Sequence, residues 1–375
     1  MTAPAPIPLR ERILDLDILR GIALFGILVV NMQDFEGPLG RPDQPIAQAL
    51  IDILISTKFI TLFSFLFGIG FAIQLSRAGQ KGVSFLSFYP RRLLSLALFG
   101  LIHGIVIWSG DILLTYAILG TLLLLFRNQS QKAVLRWAGI IVAAQILCLS
   151  ALQLAKSPES GEGQDVVPVD AHRSIVQLFL DNWHDWVRRI ESVIIALPLL
   201  SIFLLGLWVW RTGALQRLDE YRPVLKRVCA ICLPLGLALN TASELLVSLR
   251  PDATSTDWFA NVLGVIFPPI LSAGYASGLA LLLGHDVWRR LLMPFAAVGR
   301  MALTDYLLQS VVCTAFFYLT GLYGKLGPVW DAFAAVVIYS LQVVFSNWWL
   351  TRYRYGPMEW LWRGMTYGRF PNLMP

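Results

Sequence analysis

The chain has 375 residues, 56% of them hydrophobic and only 14% charged, with a mean hydropathy of +0.63. Soluble domains carry about 25% charged residues, so this composition excludes an ordinary soluble enzyme, a disordered chain and a disulfide scaffold. A net charge of +6 does not call for a nucleic-acid partner, because the basic residues follow the loops of a membrane protein.

The sequence predicts an all-α, polytopic integral membrane protein. A helix needs ~20 apolar residues to cross the hydrocarbon core. Ten such stretches occur in chain order. Five lie at about 14 to 33, 50 to 75, 91 to 108, 111 to 127 and 134 to 154, and five at about 191 to 211, 226 to 247, 259 to 284, 301 to 320 and 329 to 350. The first is no cleaved signal peptide, since Arg20 interrupts its start and no small-x-small site precedes Asp34. Three regions follow: an N-terminal membrane half at 1–154, a loop at 155–190, and a C-terminal membrane half with an interfacial tail at 191–375. The loop carries Pro158, Gly161, Gly163 and Pro168 before an amphipathic run from Ile175 to Val187, expected on the outer membrane surface. With the N-terminus inside, 21 of the 30 Lys and Arg residues fall on inner segments and 7 on outer ones, so both termini are expected in the cytoplasm.

Charged groups within spans cost at least ~2.5 to 3.5 kcal/mol each on insertion scales, so each one present points to a partner or a cavity. In the first span Asp17, Arg20, Leu24, Ile27 and Asn31 share one helical stripe, with Asp17 and Arg20 placed to pair at i, i+3. That guanidinium suits a phosphate or carboxylate, or else closes the helix start as a structural ion pair. Lys58 opens the second span's apolar core. Arg91 and Arg92 open the third span, which puts His103 about 18 Å into the membrane at 1.5 Å per residue. A tight turn after it, with Trp108, Gly110 and Asp111, returns the chain toward Tyr116. A carboxylate beside a buried histidine fixes its tautomer, so His103 with Asp111 or Glu244 reads as a base or nucleophile pair; a structural histidine bonded to a backbone carbonyl is the bland alternative. Asn240 with Glu244, and Asp305 among Thr304, Tyr306 and Gln309, complete the set. The small-residue ladders Ser64, Gly68, Ala72 and Gly274, Gly278 read as close helix packing. Cys148, Cys229, Cys232 and Cys313 lie in apolar runs and read as packing groups.

No GxxxxGK[ST] loop, HExxH, GxSxG or metal-ligand spacing occurs, so neither a bound metal nor a permanently bound cofactor is expected.

Three stretches taken together resemble a known family: RILDLDILRGIALFGILVVN at Arg12 to Asn31; LFSFLFGIG at Leu62 to Gly70 with HGIVIWSGDILLTY before Ala117; and GRMALTDYLLQS at Gly299 to Ser310 with GPMEWLWRGMTYG at Gly356 to Gly368. In this order the chain resembles the bacterial YeiB-like multi-spanning membrane proteins, whose C-terminal half is a domain of unknown function. Asp305 departs from the asparagine expected there. The resemblance implies the bacterial inner membrane. The LDxxRG segment and helix layout are similar, more distantly, to membrane acyltransferases of the heparan-glucosaminide N-acetyltransferase type, which use an intramembrane histidine and cytoplasmic acetyl-CoA.

Two functions follow as expectations. An acyltransferase would hold acyl-CoA as a donor substrate at Arg20, Arg91 and Arg92 and use His103, oriented by Asp111 or Glu244, on an outer acceptor. A proton-coupled transporter of a small solute would rely on Glu244 and Asp305. A scaffold or lipid-binding role is the third reading, from a tail in which Trp360, Trp362, Tyr367 and Arg363 look like an interfacial anchor. Lipid and a small-molecule substrate are the partners expected; the oligomeric state is not encoded in any motif.

Overall fold

A computed structural model describes residues 13–37, 44–155, 179–180, 182–184, 186, 196–249 and 254–374. Most of the described residues are helical, with no strand among them. The first half contains α1 (Leu14–Glu36), α2 (Pro45–Leu54), α3 (Lys58–Gln80), α4 (Tyr89–Ile102), α5 (Leu113–Leu123) and α6 (Gln131–Ala155). The second contains α7 (Leu197–Thr212), α8 (Leu218–Leu249), α9 (Thr254–Leu283), the short α10 (Asp286–Leu292) and α11 (Phe295–Arg300), then α12 (Ala302–Thr320), α13 (Pro328–Arg352) and α14 (Pro357–Tyr367). Among the described residues a helix occupies most of each of the ten expected stretches. Seven helices among the described residues are long and apolar enough to cross a membrane, and Leu113–Phe126 and Leu197–Thr212 are shorter apolar helices. The tenth stretch is α1, where Asp15, Asp17, Arg20, Asp34 and Glu36 dilute the apolar run. The protein is thus an all-α, multi-pass membrane protein.

Proline opens α2, α4, α7, α13 and α14, where its missing N–H costs nothing and its fixed φ suits the first turn. The second expected stretch is broken between α2 and α3 at Thr57, the one non-glycine residue with positive φ (+66°) among those described. Lys58 spans this break, donating from Nζ to the Asp52 carbonyl.

Small residues set the helix contacts. A Cβ at Gly68 would strike the backbone of Phe203 on α7, and one at Gly206 the carbonyl of Phe65, so α3 and α7 meet backbone to backbone. Gly299 on α11 abuts the Asp17 carbonyl of α1 in the same way, and Gly274 on α9 abuts Leu233 on α8. The expected ladders thus mark packing at Gly68 and Gly274, while Ser64 is used differently, bonding the Tyr116 hydroxyl at 2.6 Å. Inside lies an aromatic cluster of Phe67, Phe71, Tyr89, Tyr116 and Phe203. Outside, Leu94, Val106, Leu147, Leu319 and Val344 are exposed, as a surface that meets lipid requires. The four cysteines are free thiols, and Cys313 is buried in the core.

Candidate functional site

The backbone of α4 changes form where its chemistry begins. From His103 to Ile107 it runs as a π-helical turn, closed by the Trp108 N–H bonding the His103 carbonyl at 2.9 Å. Such wide turns recur at functional sites because they re-aim a side chain. Trp108 is then extended, its ring folds over Gly110, and the chain reverses into α5. This reversal carries Asp111 back beneath the histidine. His103 Nδ1 lies 2.9 Å from Asp111 Oδ1, and the two side chains are 0% and 1% exposed. The second carboxylate oxygen accepts the Leu114 N–H at 2.8 Å, so Asp111 also caps the first turn of α5.

An ionised Asp111 can only accept, which makes Nδ1 the protonated nitrogen and leaves the lone pair on Nε2. Nε2 is buried and has no hydrogen-bond partner among the described residues. Around it stand Tyr306, its ring centroid 5.2 Å from that of His103, and Trp108 at 6.3 Å. The loop contributes from the other side. A Cβ at Gly104 would lie 2.6 Å from Trp186 Cδ1, and Asn182 Nδ2 donates to the Ile107 carbonyl at 3.3 Å. Of the expected amphipathic run, residues 179–180, 182–184 and 186 are described and helical, with Trp183 stacked on Trp186 at 6.0 Å; Pro158, Gly161, Gly163 and Pro168 lie outside the described residues.

A cavity of about 240 Å³ runs through the bundle beside this pair. One end is rich in guanidinium groups: Arg20, Arg77, Arg92, Arg300 and Arg363, against the carboxylates of Asp17 and Glu359. The walls then become apolar through Leu24, Ile27, Phe63 and Phe67, and the cavity reaches Ile112, Leu113, Tyr116 and Tyr306. Ile112 and Leu113 directly follow Asp111, and Tyr306 is the ring that packs on His103. The cavity therefore runs from a cationic end to residues that adjoin the histidine pair, while His103 and Asp111 themselves do not line it.

Each arginine that is oriented has a visible cause. Asp17 holds the Arg20 guanidinium at 2.6 Å, so the expected ion pair is present and also lines the cavity. Arg92 lies over the Trp362 ring at 3.5 Å, and the Trp362 indole donates to the Arg92 carbonyl at 2.9 Å. Glu359 accepts from the backbone N–H groups of Leu303 and Thr304, at 2.7 and 3.1 Å, and from the Thr304 hydroxyl at 2.6 Å. That places a carboxylate on the positive end of α12. Burial pushes the Glu359 carboxyl above its ordinary value, and the three donors oppose the rise.

Asp17, Arg20 and Arg92 meet at the cavity, and His103 meets Asp111. The other expected residues lie elsewhere. Arg91 is exposed outside the cavity, Asn31 is half-buried farther along α1, and Lys58 sits at the α2–α3 break with its own partner, the Asp52 carbonyl. Glu244 shares the electrostatic neighbourhood of Lys58 and Asp52, so Asp111 alone partners His103. Asp305 is buried between α12 and α13, bonded to Ser346. Sequence reasoning missed Arg77 and Arg300, named Tyr306 only as a neighbour of Asp305, and read the tail as an anchor. Trp362 and Tyr367 instead pack on Arg92 and Phe88, and Trp360 bonds the Pro371 carbonyl, because α14 folds back onto α4.

Comparison with known proteins finds a family model and full-length relatives. The family model described as "Protein of unknown function (DUF418)" matches residues 209–369. "Uncharacterized protein YxaH" of Bacillus subtilis (strain 168) is 34% identical, over 98% of this chain and 97% of its own length. "Uncharacterized 39.9 kDa protein in amylase 3'region" of Bacillus acidopullulyticus is 31% identical over 98% of each chain. "Uncharacterized protein YeiB" of Escherichia coli (strain K12) is 29% identical, over 95% of this chain and 96% of its own. No solved structure matches the chain.

Proposed function

The chain belongs to the YeiB-like family of membrane proteins, and from that premise we propose that it transfers an acyl group from an acyl-CoA to a hydroxyl or amine acceptor, with His103 as the base. The observation that carries the reading is the buried Nε2 of His103, without a hydrogen-bond partner among the described residues, held by Asp111 through Nδ1 behind Tyr306, which lines an arginine-ended cavity.

The residues divide the work by chemistry. Guanidinium groups bind phosphate oxygens through paired N–H donors, so the end formed by Arg20, Arg77, Arg92, Arg300 and Arg363 suits the phosphates of the donor. The apolar stretch beyond suits an uncharged pantetheine arm and its thioester. At the far end the acceptor gives its proton to Nε2 as its oxygen or nitrogen attacks the thioester carbonyl. The tetrahedral intermediate collapses by breaking the C–S bond, and the departing thiolate takes the proton from the imidazolium. Asp111 stays ionised and holds the ring through both steps.

The reading sets the arginine end in the cytoplasm of a bacterial inner membrane, on the side carrying 21 of the Lys and Arg residues, with all ten helical segments crossing. The acceptor then arrives by way of the loop residues Asn182 and Trp186. A second reading, proton-coupled transport of a small solute, is favoured by the carboxylate of Asp305 buried between α12 and α13.

The test is acetyl-CoA binding and thiol release by the detergent-purified protein. Saturable binding lost in Arg20→Ala, with thiol release lost in His103→Ala, is the expected result. Absence of binding at millimolar donor in folded protein overturns acyl transfer and moves the question to solute flux driven by a pH gradient.

A further inference from the structure

The helices α12 and α13 bury four polar side chains against one another: Asp305, Gln309, Gln342 and Ser346, which are 0%, 2%, 4% and 0% exposed. They form a chain of hydrogen bonds whose direction is fixed at one end. Gln342 Nε2 donates to the backbone carbonyl of Asp305 at 3.0 Å. A carbonyl has no alternative orientation and no proton to give, so the Gln342 amide cannot be turned over. Its Oε1 must then face Gln309, which donates from Nε2 at 2.8 Å. That bond in turn fixes the Gln309 amide, leaving its Oε1 as a buried acceptor without a donor.

A second buried acceptor lies one helical turn back. Asp305 Oδ2 accepts the Ser346 hydroxyl at 2.8 Å, while Oδ1 has no partner. Residues four apart on a helix lie on the same face, so the two side chains that carry these oxygens are neighbours on α12. Each acceptor in an apolar interior carries the cost of an unmade hydrogen bond. One proton removes both costs. We propose that Asp305 is a proton-binding site, held as a carboxylic acid whose Oδ1–H donates to Gln309 Oε1.

The surroundings supply nothing else to neutralise a carboxylate there. The charged and titratable groups on the elements packed against it are Asp15, Asp17, Arg20, Asp34 and Glu36 on α1, Arg300 on α11, Tyr306, Cys313 and Tyr318 on α12, Asp331, Tyr339 and Arg352 on α13, Glu359, Arg363 and Tyr367 on α14, and His103 on the π turn. Among the described residues none of these is bonded to the Asp305 carboxylate. Arg20 is engaged with Asp17, and the Tyr339 hydroxyl donates to the Gly21 carbonyl. Asp305 does not line the arginine-ended cavity, so the inference stands apart from the acyl-transfer reading and fails or succeeds separately.

The experiment is infrared difference spectroscopy of the purified full chain in H₂O and D₂O near neutral pH, with melting temperature as a second readout. The wild type is expected to show a carboxylic-acid C=O stretch that shifts in D₂O. The band should vanish in Asp305→Asn and move to higher frequency in Gln309→Leu, where the acceptor is gone. Asp305→Asn should melt close to the wild type, because its amide donates to Gln309 as the acid does; Asp305→Ala should melt lower. A wild-type spectrum with no Asp305-dependent acid band overturns the proposal. So does a melting temperature that rises with sodium chloride but not choline chloride and loses that rise in Asp305→Asn, since the bare oxygens would then be holding a cation.

Discussion

His103 and Asp111 bond through Nδ1 and Oδ1 at 2.9 Å because a π-helical turn and a sharp reversal fold eight residues of chain back on themselves. The same carboxylate caps α5 through the Leu114 N–H, so the pair and the helix start are built together. Asp111→Asn separates the two roles. Its carbonyl can still cap α5, while its amide donates to Nδ1 and drives the proton to Nε2. Thiol release should fall about 10²- to 10⁴-fold, the usual contribution of general-base catalysis, with little change in melting temperature. Turnover within a few-fold of wild type would remove Asp111 from the reaction.

Arg20 is the cavity arginine most directly oriented, by Asp17 at 2.6 Å. Hydrogen bonds to charged groups are worth about 1.5–3 kcal/mol, which converts to about a 10- to 100-fold weaker donor affinity in Arg20→Ala. The effect should appear in KM for acetyl-CoA far more than in kcat and should shrink at high salt. Arg91→Ala, outside the cavity, should leave KM unchanged, and an equal loss in both variants would argue for a surface effect.

Glu359 gives the fold a pH dependence. Burial lifts its carboxyl above the ordinary 4.5, so the folded state holds this proton more tightly than the unfolded chain does. The stability it adds is fully present below the ordinary value and is lost as pH rises through the folded one. Thermal melting in detergent should therefore decline between about pH 4 and the folded value, and Glu359→Gln should flatten that decline. A wild-type melting temperature that rises over the same interval would reverse the assignment.

Two glycines should respond oppositely to alanine. A Cβ on Gly299 meets the backbone carbonyl of Asp17, which no rotamer change relieves, whereas one on Gly278 meets only Cys229 Sγ at 3.4 Å. Gly299→Ala should destabilise the protein by about 1–3 kcal/mol or more. Gly278→Ala should be neutral or stabilising by up to about 1 kcal/mol, as expected for a helical glycine with room beside it. Equal melting temperatures for the two would show that α1 and α11 can separate without cost.

Much of the fold was legible because a membrane span writes its length directly into hydropathy, and seven helices among the described residues are long and apolar enough to cross a membrane. The π turn was not, since HGIVI reads as ordinary helix and the widening is set by where Trp108 and Gly104 pack. His103 stood out as a histidine deep in an apolar run, and the tight turn made Asp111 its natural partner. Glu244 offered the same chemistry, and only tertiary placement separated them. Arg77 and Arg300 escaped notice because charges at helix ends are the norm; their convergence with Glu359 depends on how α3, α11 and α14 are arranged about α1.

The stacking of Arg92 on Trp362 joins positions 270 residues apart. During synthesis α1, α3 and α4 emerge long before α14, so the arginine-ended cavity stands without its last wall while most of the chain is made. In that interval Arg92 has no indole beneath it, and the first amides of α12 lack the Glu359 carboxylate. The cavity is therefore completed late in biogenesis, when α14 docks, and its closure reports on completed assembly rather than on insertion of the helices into the bilayer.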